Sequence, residues 1–130
     1  MTTISEVSDA VASISECIDA YNVDRPAEAA TWARVAKVAE ESGEVIAAYI
    51  GATGQNPRKG TTHSQRDLEE ELLDVALTAL AALEHLRGHD RRSGAMLADK
   101  ADRTLARLRA LAGSTRQVDG DDTRAPGDSE

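Results

Sequence analysis

The sequence predicts an all-α fold: an antiparallel bundle with four helices per subunit, completed by oligomerisation. Three observations carry this prediction. Apolar residues recur at spacings of three and four, as they do along one face of a helix. Aromatic residues make up only 2% of the chain and Phe is absent, so the core has to come from Leu, Ile, Val and Ala. That palette suits packed helices, because strands favour aromatic and β-branched side chains. Capping signals also stand where the periodic segments begin.

Thr3 and Glu6 have capping-box spacing and open a first helix over 4–21. Ile4, Val7, Val11, Ile14, Ile18 and Tyr21 share its apolar face. After a turn at 22–25, Pro26 suits the first turn of a second helix, with Asp24 as its cap. This helix runs to about Ile50. Gly43 weakens it by about 1 kcal/mol relative to Ala and leaves room for a neighbouring helix to approach. Residues 51–62 hold three glycines and a proline, so they form a loop. Ser64 and Asp67 start a third helix, which Gly88 stops. Asp90 caps a fourth, which ends near Ala112. Residues 1–112 therefore form one domain, and the polar, acidic stretch 113–130 reads as a disordered tail.

The chain has 130 residues and a formal net charge of −8. Duplex nucleic acid is a poor partner for it, since phosphate binding relies on Lys and Arg. A free nucleotide is compatible, because a metal ion can carry positive charge to it. The single cysteine, Cys17, cannot form an internal disulfide. The first residues carry neither a basic region nor an apolar run, and no stretch reaches about 18 apolar residues. These features predict a cytoplasmic protein with no membrane partner.

The second and third helices have unusual wheels. Trp32, Val35, Ala36, Ala39, Ile46 and Ile50 form the main stripe of the second, and Val38, Val45 and Tyr49 widen it. Glu40, Glu41 and Glu44 share the remaining wedge. On the third helix, Leu68, Leu72, Val75, Ala79, Leu83 and Leu86 form a stripe that Leu73, Leu77 and Leu80 extend. Glu71 and Asp74 fall in a narrow polar wedge. A helix apolar nearly all round is expected to be buried, and unpaired buried carboxylates are strongly unfavourable. A divalent cation neutralises them. Oxygen ligands without paired His or Cys favour Mg²⁺, with Mn²⁺ as a substitute. A lone Glu-x-x-Glu is usually solvated helix surface; two acidic pairs on two predominantly apolar helices are not well described that way.

Glu40-Glu41-Ser42-Gly43-Glu44, followed by Glu71-Leu72-Leu73-Asp74, resembles the MazG-like nucleotide pyrophosphohydrolases. The similarity spans about Trp32 to His85, includes the loop Asn56-Pro57-Arg58-Lys59-Gly60, and is greatest to short single-domain members encoded by actinobacteria and their phages. The first helix matches by position alone. The resemblance implies an α-helical subunit that pairs into a bundle, as a homodimer or a tetramer. It also implies cleavage of a nucleoside triphosphate between its α and β phosphates. Glu41, Glu44, Glu71 and Asp74 correspond to Mg²⁺ ligands, and Glu40 to the leading acid that orients or deprotonates water. No Walker phosphate loop is present. A phosphoribosyl-ATP pyrophosphohydrolase and a non-catalytic helical binding module are the alternatives. A di-iron carboxylate bundle needs Glu-x-x-His on two helices, which this chain lacks.

Four further residues are candidate substrate contacts. Arg58 and Lys59 sit in the Gly/Pro loop, as contacts to outgoing phosphates or as a solvated basic turn. Lys37 can reach phosphate, although pairing with Glu40 or Glu41 within its own helix suits it better. Trp32 can stack on a base, but its place on the stripe favours the core. His85 lies three turns beyond Asp74, too far to share its metal.

Overall fold

The computed structural model describes residues 3–120, with side chains as far as Ser114. Among the described residues it is all-helical: α1 (Ile4–Tyr21), α2 (Ala27–Thr53), α3 (Gln65–Leu86) and α4 (Ser93–Gly120). One compact unit runs to Ala95 and a second begins at Met96, so α4 crosses from one to the other. In the first unit α3 packs against both α1 and α2. No helix among the described residues is long and apolar enough to cross a membrane.

Local chemistry sets the helix starts. Thr3 and Glu6 form the expected capping box, and so do Ser64 and Asp67. Each side chain satisfies a backbone donor that the first helical turn leaves free. Asp24 does not cap α2; Pro26 occupies that position without a side-chain hydrogen bond. The start of α4 is held from another helix. The buried Glu84 carboxylate accepts from the backbone N–H of Ser93 at 2.9 Å and of Arg91 at 3.0 Å. Asp90 instead accepts from the Arg92 N–H and pairs with Arg87.

Helix ends differ more. α2 passes through Gly51 to Thr53 and closes on Gly54, whose φ of 66° is a left-handed cap of the kind glycine favours. At Gly51 the chain returns closely: the Thr62 N–H donates to the Gly51 carbonyl at 3.0 Å, and a Cβ there would collide with the Thr62 and His63 side chains. At Gly43, where close helix approach was expected, nothing lies within 4 Å of such a Cβ. α4 does not stop before Gly113 but continues to Gly120. A single glycine costs a helix only about 1 kcal/mol. Residues 121–130 of the expected tail lie outside the described residues.

The largest correction concerns which faces are inside. The buried apolar residues are small: Val11, Ala12, Ala48, Ala81 and Ala82. Ser8, Ser15, Arg34, Glu41, Glu84 and Ser93 are buried beside them. The predicted α2 stripe faces out, with Trp32 71%, Val35 55% and Ile46 61% exposed. The buried face of α2, Arg34, Glu41, Ala48 and Gly51, lies roughly 180° around the helix from that stripe at 100° per residue. On α3 the stripe is split: Leu68, Val75 and Leu83 are half-buried, along with Glu71, Thr78 and Leu80, while Leu72, Leu73 and Leu86 are exposed. Small residues let helix backbones approach closely, so the chain's own helices close on their small and polar faces.

Candidate metal centre

The inward rotation of α2 and α3 brings their acids together. Glu41, Glu44 and Glu71 each present a carboxylate oxygen within 4.8 Å of the others. Glu41 is 8% exposed, Glu71 is half-buried, and Glu44 is exposed at the mouth. Asp74, the fourth expected ligand, is exposed and is not part of this tight group. Its charge still reaches Glu71. Desolvation pushes the Glu71 carboxyl above its ordinary value, and repulsion from Glu44, Asp74 and Glu41 adds to the shift.

One atom of the group bears on a cation. Glu71 Oε2 is buried and has no hydrogen-bond partner. A buried acceptor without a donor is rare and unfavourable. An oxygen-seeking divalent ion among Glu41, Glu44 and Glu71 would satisfy it and offset the charge that Lys37 leaves uncompensated. Carboxylate oxygens are the ligand type that Mg²⁺ and Mn²⁺ take.

Lys37 forms the pair its spacing favoured. Its ammonium lies 2.9 Å from Glu40 and 2.9 Å from Glu41, and these hydrogen bonds, Glu40's the larger, raise its pKa. Glu40 is exposed and held by Lys37. Lys37 also lines a cavity of about 340 Å³ among α1, α2 and α3. Ile14, Ile18, Ala30, Ala33, Leu77 and Ala81 give that cavity apolar walls, and Asp19, Asn22, Arg25, Arg34 and Thr78 supply polar groups. Apolar walls with a few placed polar groups are the usual make-up of a small-molecule site.

No protein-family model, curated protein or solved structure matches the chain.

Three expected substrate contacts stand elsewhere. Trp32 is not in the core: it is exposed and lines a shallow depression with Ala27, Thr31, Val35, Ala36 and Ala39. Arg58 and Lys59 are exposed in the α2–α3 loop, where Lys59 borders a smaller cavity with Asn56, Gly60 and His63. The Arg58 N–H donates to Asn56 Oδ1 at 3.2 Å, which shapes the turn.

A second polar cluster was not expected from the sequence. Asp19 Oδ2 lies 2.7 Å from His85 Nδ1 and 3.2 Å from His89 Nε2. Arg34 donates to Asp19 Oδ1 at 3.0 Å and to the Ser15 carbonyl at 2.6 Å. Burial pushes the Asp19 carboxyl up, but His85 and Arg34 outweigh it and hold the group below its ordinary value. The available signal was the i, i+4 spacing of His85 and His89. It is weak, because His89 lies beyond the end of α3.

Proposed function

We propose that the protein is a Mg²⁺-dependent nucleoside triphosphate pyrophosphohydrolase. It would split NTP or dNTP between the α and β phosphates, releasing a monophosphate and pyrophosphate. The convergence of Glu41, Glu44 and Glu71 around an unpaired buried oxygen carries this reading. The resemblance of the two acidic motifs to MazG-like enzymes supports it.

Glu41, Glu44 and Glu71 would hold the ion, with Asp74 joining from α3. Mg²⁺ there would offset triphosphate charge and polarise its oxygens, which phosphoryl transfer requires more than a protein nucleophile. The chain's own groups do the rest. Lys37 borders both the acids and the cavity, so its ammonium can turn a proton towards a phosphate while keeping Glu41 in place. Glu40, beside it, can accept a proton from water. The apolar walls contributed by Ile14, Ile18 and Leu77 would take the nucleoside end, and Arg25 and Asn22 supply polar contacts there.

The same reading includes an antiparallel bundle completed by a second copy of the chain. Trp32, Val35 and Ile46 on α2, with Leu72 and Leu73 on α3, leave a large apolar area in water. Each such side chain gains roughly 1.5–3 kcal/mol when fully buried. A homodimer would cover them, and a tetramer is the next closed arrangement.

The test is a panel of NTPs and dNTPs with Mg²⁺, assayed for monophosphate and pyrophosphate. Glu44→Gln and Asp74→Asn should each lose most of the activity. The reading fails if wild type releases no pyrophosphate from any nucleotide, or if both variants match it. Nucleotide binding without turnover would instead mark a helical binding module.

A further inference from the structure

The geometry points to a second metal site, for Zn²⁺, built by Asp19, His85 and His89. Among the described residues these three form a group whose ligand atoms all lie within 4.8 Å of one another. All three are half-buried. They come from α1, from the end of α3 and from the loop that follows, so a bound ion would tie three segments together.

The spacing suits a small tetrahedral ion. Bonds of about 2.0–2.1 Å to Zn²⁺ place ligand atoms roughly 3.3 Å apart. Asp19 Oδ2 and His89 Nε2 are already at 3.2 Å. Asp19 Oδ2 and His85 Nδ1, at 2.7 Å, need to open by roughly 0.6 Å to reach that spacing. The surroundings suit it too. His85 Nε2 lies 2.9 Å from Thr31 Oγ1, and a hydrogen bond from the far ring nitrogen is what fixes the tautomer of a metal-binding histidine. Arg34 occupies Oδ1 of Asp19, so Oδ2 faces only the two imidazoles, and an ion entering between them would replace the His85–Asp19 hydrogen bond and the 3.1 Å contact of His89 Nε2 with Ser15 Oγ.

Charge selects the ion. Arg34 already offsets the Asp19 carboxylate, so net negative charge is not what attracts a cation here. Two imidazole nitrogens do, and imidazole favours Zn²⁺ over Mg²⁺. The site therefore differs in kind from the all-carboxylate group on α2 and α3. His89 sits at a φ of 60°, a region in which His is enriched, and its N–H donates to the Glu84 carbonyl at 2.8 Å. That backbone aims its ring at Asp19.

Co²⁺, as a spectroscopic substitute for Zn²⁺, tests this in the full chain carrying Glu44→Gln, which weakens the acidic site. One equivalent of Co²⁺ should give the intense visible bands of tetrahedral coordination. Excess Zn²⁺ should abolish them and excess Mg²⁺ should not. Adding His89→Asn, which tolerates positive φ, should remove the bands. Thr31→Val should weaken binding about tenfold. Absence of tetrahedral bands, or bands unchanged by His89→Asn in a protein whose circular dichroism matches its parent, overturns the proposal. These readouts involve no nucleotide, so they stand or fall separately from the hydrolase activity.

Discussion

Glu41 on α2 and Glu71 on α3 bring carboxylate oxygens within 4.8 Å of each other, yet Lys37 reaches only the first of them. Among the described residues no cation pairs with Glu71, and one of its oxygens is buried without a donor. The chain thus holds like charges together across two helices and offsets only the Glu41 charge, through Lys37. That arrangement should make the acidic group sensitive to divalent ions, to pH and to substitution.

Divalent ions should stabilise the fold. At a Mg²⁺ concentration 100 times its Kd, mass action adds about 2.7 kcal/mol, which raises Tm by roughly 10 °C for a domain of this size. Glu71→Gln should cancel the rise and, in chelator, should itself melt higher than wild type. Thermal denaturation monitored by circular dichroism, with and without EDTA, measures both. A Tm indifferent to Mg²⁺ would count against the centre.

The pH dependence has a definite sign. Glu71 is held above its ordinary 4.5 in the folded chain. Between 4.5 and that raised value the folded state binds more protons than the unfolded state, so stability falls as pH rises through the window. Below 4.5 the penalty is absent, and above the window it is constant. Denaturant melts across this range in EDTA should show the decline in wild type and lose this component in Glu71→Gln.

Arg34 is buried and bonded to both Asp19 and Ser15. Breaking a buried pair by removing one partner costs about 3–5 kcal/mol; the partly exposed Asp19 moves Arg34→Met to the lower end, about 3 kcal/mol. Urea denaturation measures this. A loss below about 1 kcal/mol would mean the network contributes no more than an exposed ion pair.

Glu84→Ala should uncap α4. It leaves the Ser93 and Arg91 N–H groups without their acceptor, at about 1–3 kcal/mol for each donor that stays buried. Glu84→Gln, which keeps one oxygen acceptor, should recover part of the loss. Amide hydrogen exchange at Ser93 and Arg91 reports the effect locally.

The exposed α2 stripe should govern assembly. Trp32→Ser with Ile46→Glu removes apolar surface on the face opposite the acids. Size-exclusion chromatography with light scattering should show wild type as a dimer or tetramer and the double variant as a monomer. A monomeric wild type would contradict the assembly.

Much of the fold was legible in the sequence. Capping boxes at Thr3 and Ser64, and helix-length apolar periodicity, foretold four helices with close to their observed starts. These are local interactions, settled within one or two turns. The i, i+4 spacing foretold the Lys37–Glu41 pair for the same reason. The spacing of Glu41 and Glu44 put them on one polar wedge of α2, and Glu71 fell in the polar wedge of α3; the tertiary structure brought the three into one group.

Facing was decided only in three dimensions. A hydrophobic stripe says which side of a helix avoids water but not what covers it. α2 has small and polar residues on one side and large apolar ones on the other. Its neighbours in the chain took the small side, because Ala48 and Gly51 permit closer approach than Trp32 or Ile46. The fourth acid, Asp74, is exposed on α3 and stayed outside the tight group. The Asp19–His85–His89 cluster depended on tertiary structure altogether. Its members come from separate segments, and no local pattern records a contact that exists only once α1 has docked on α3.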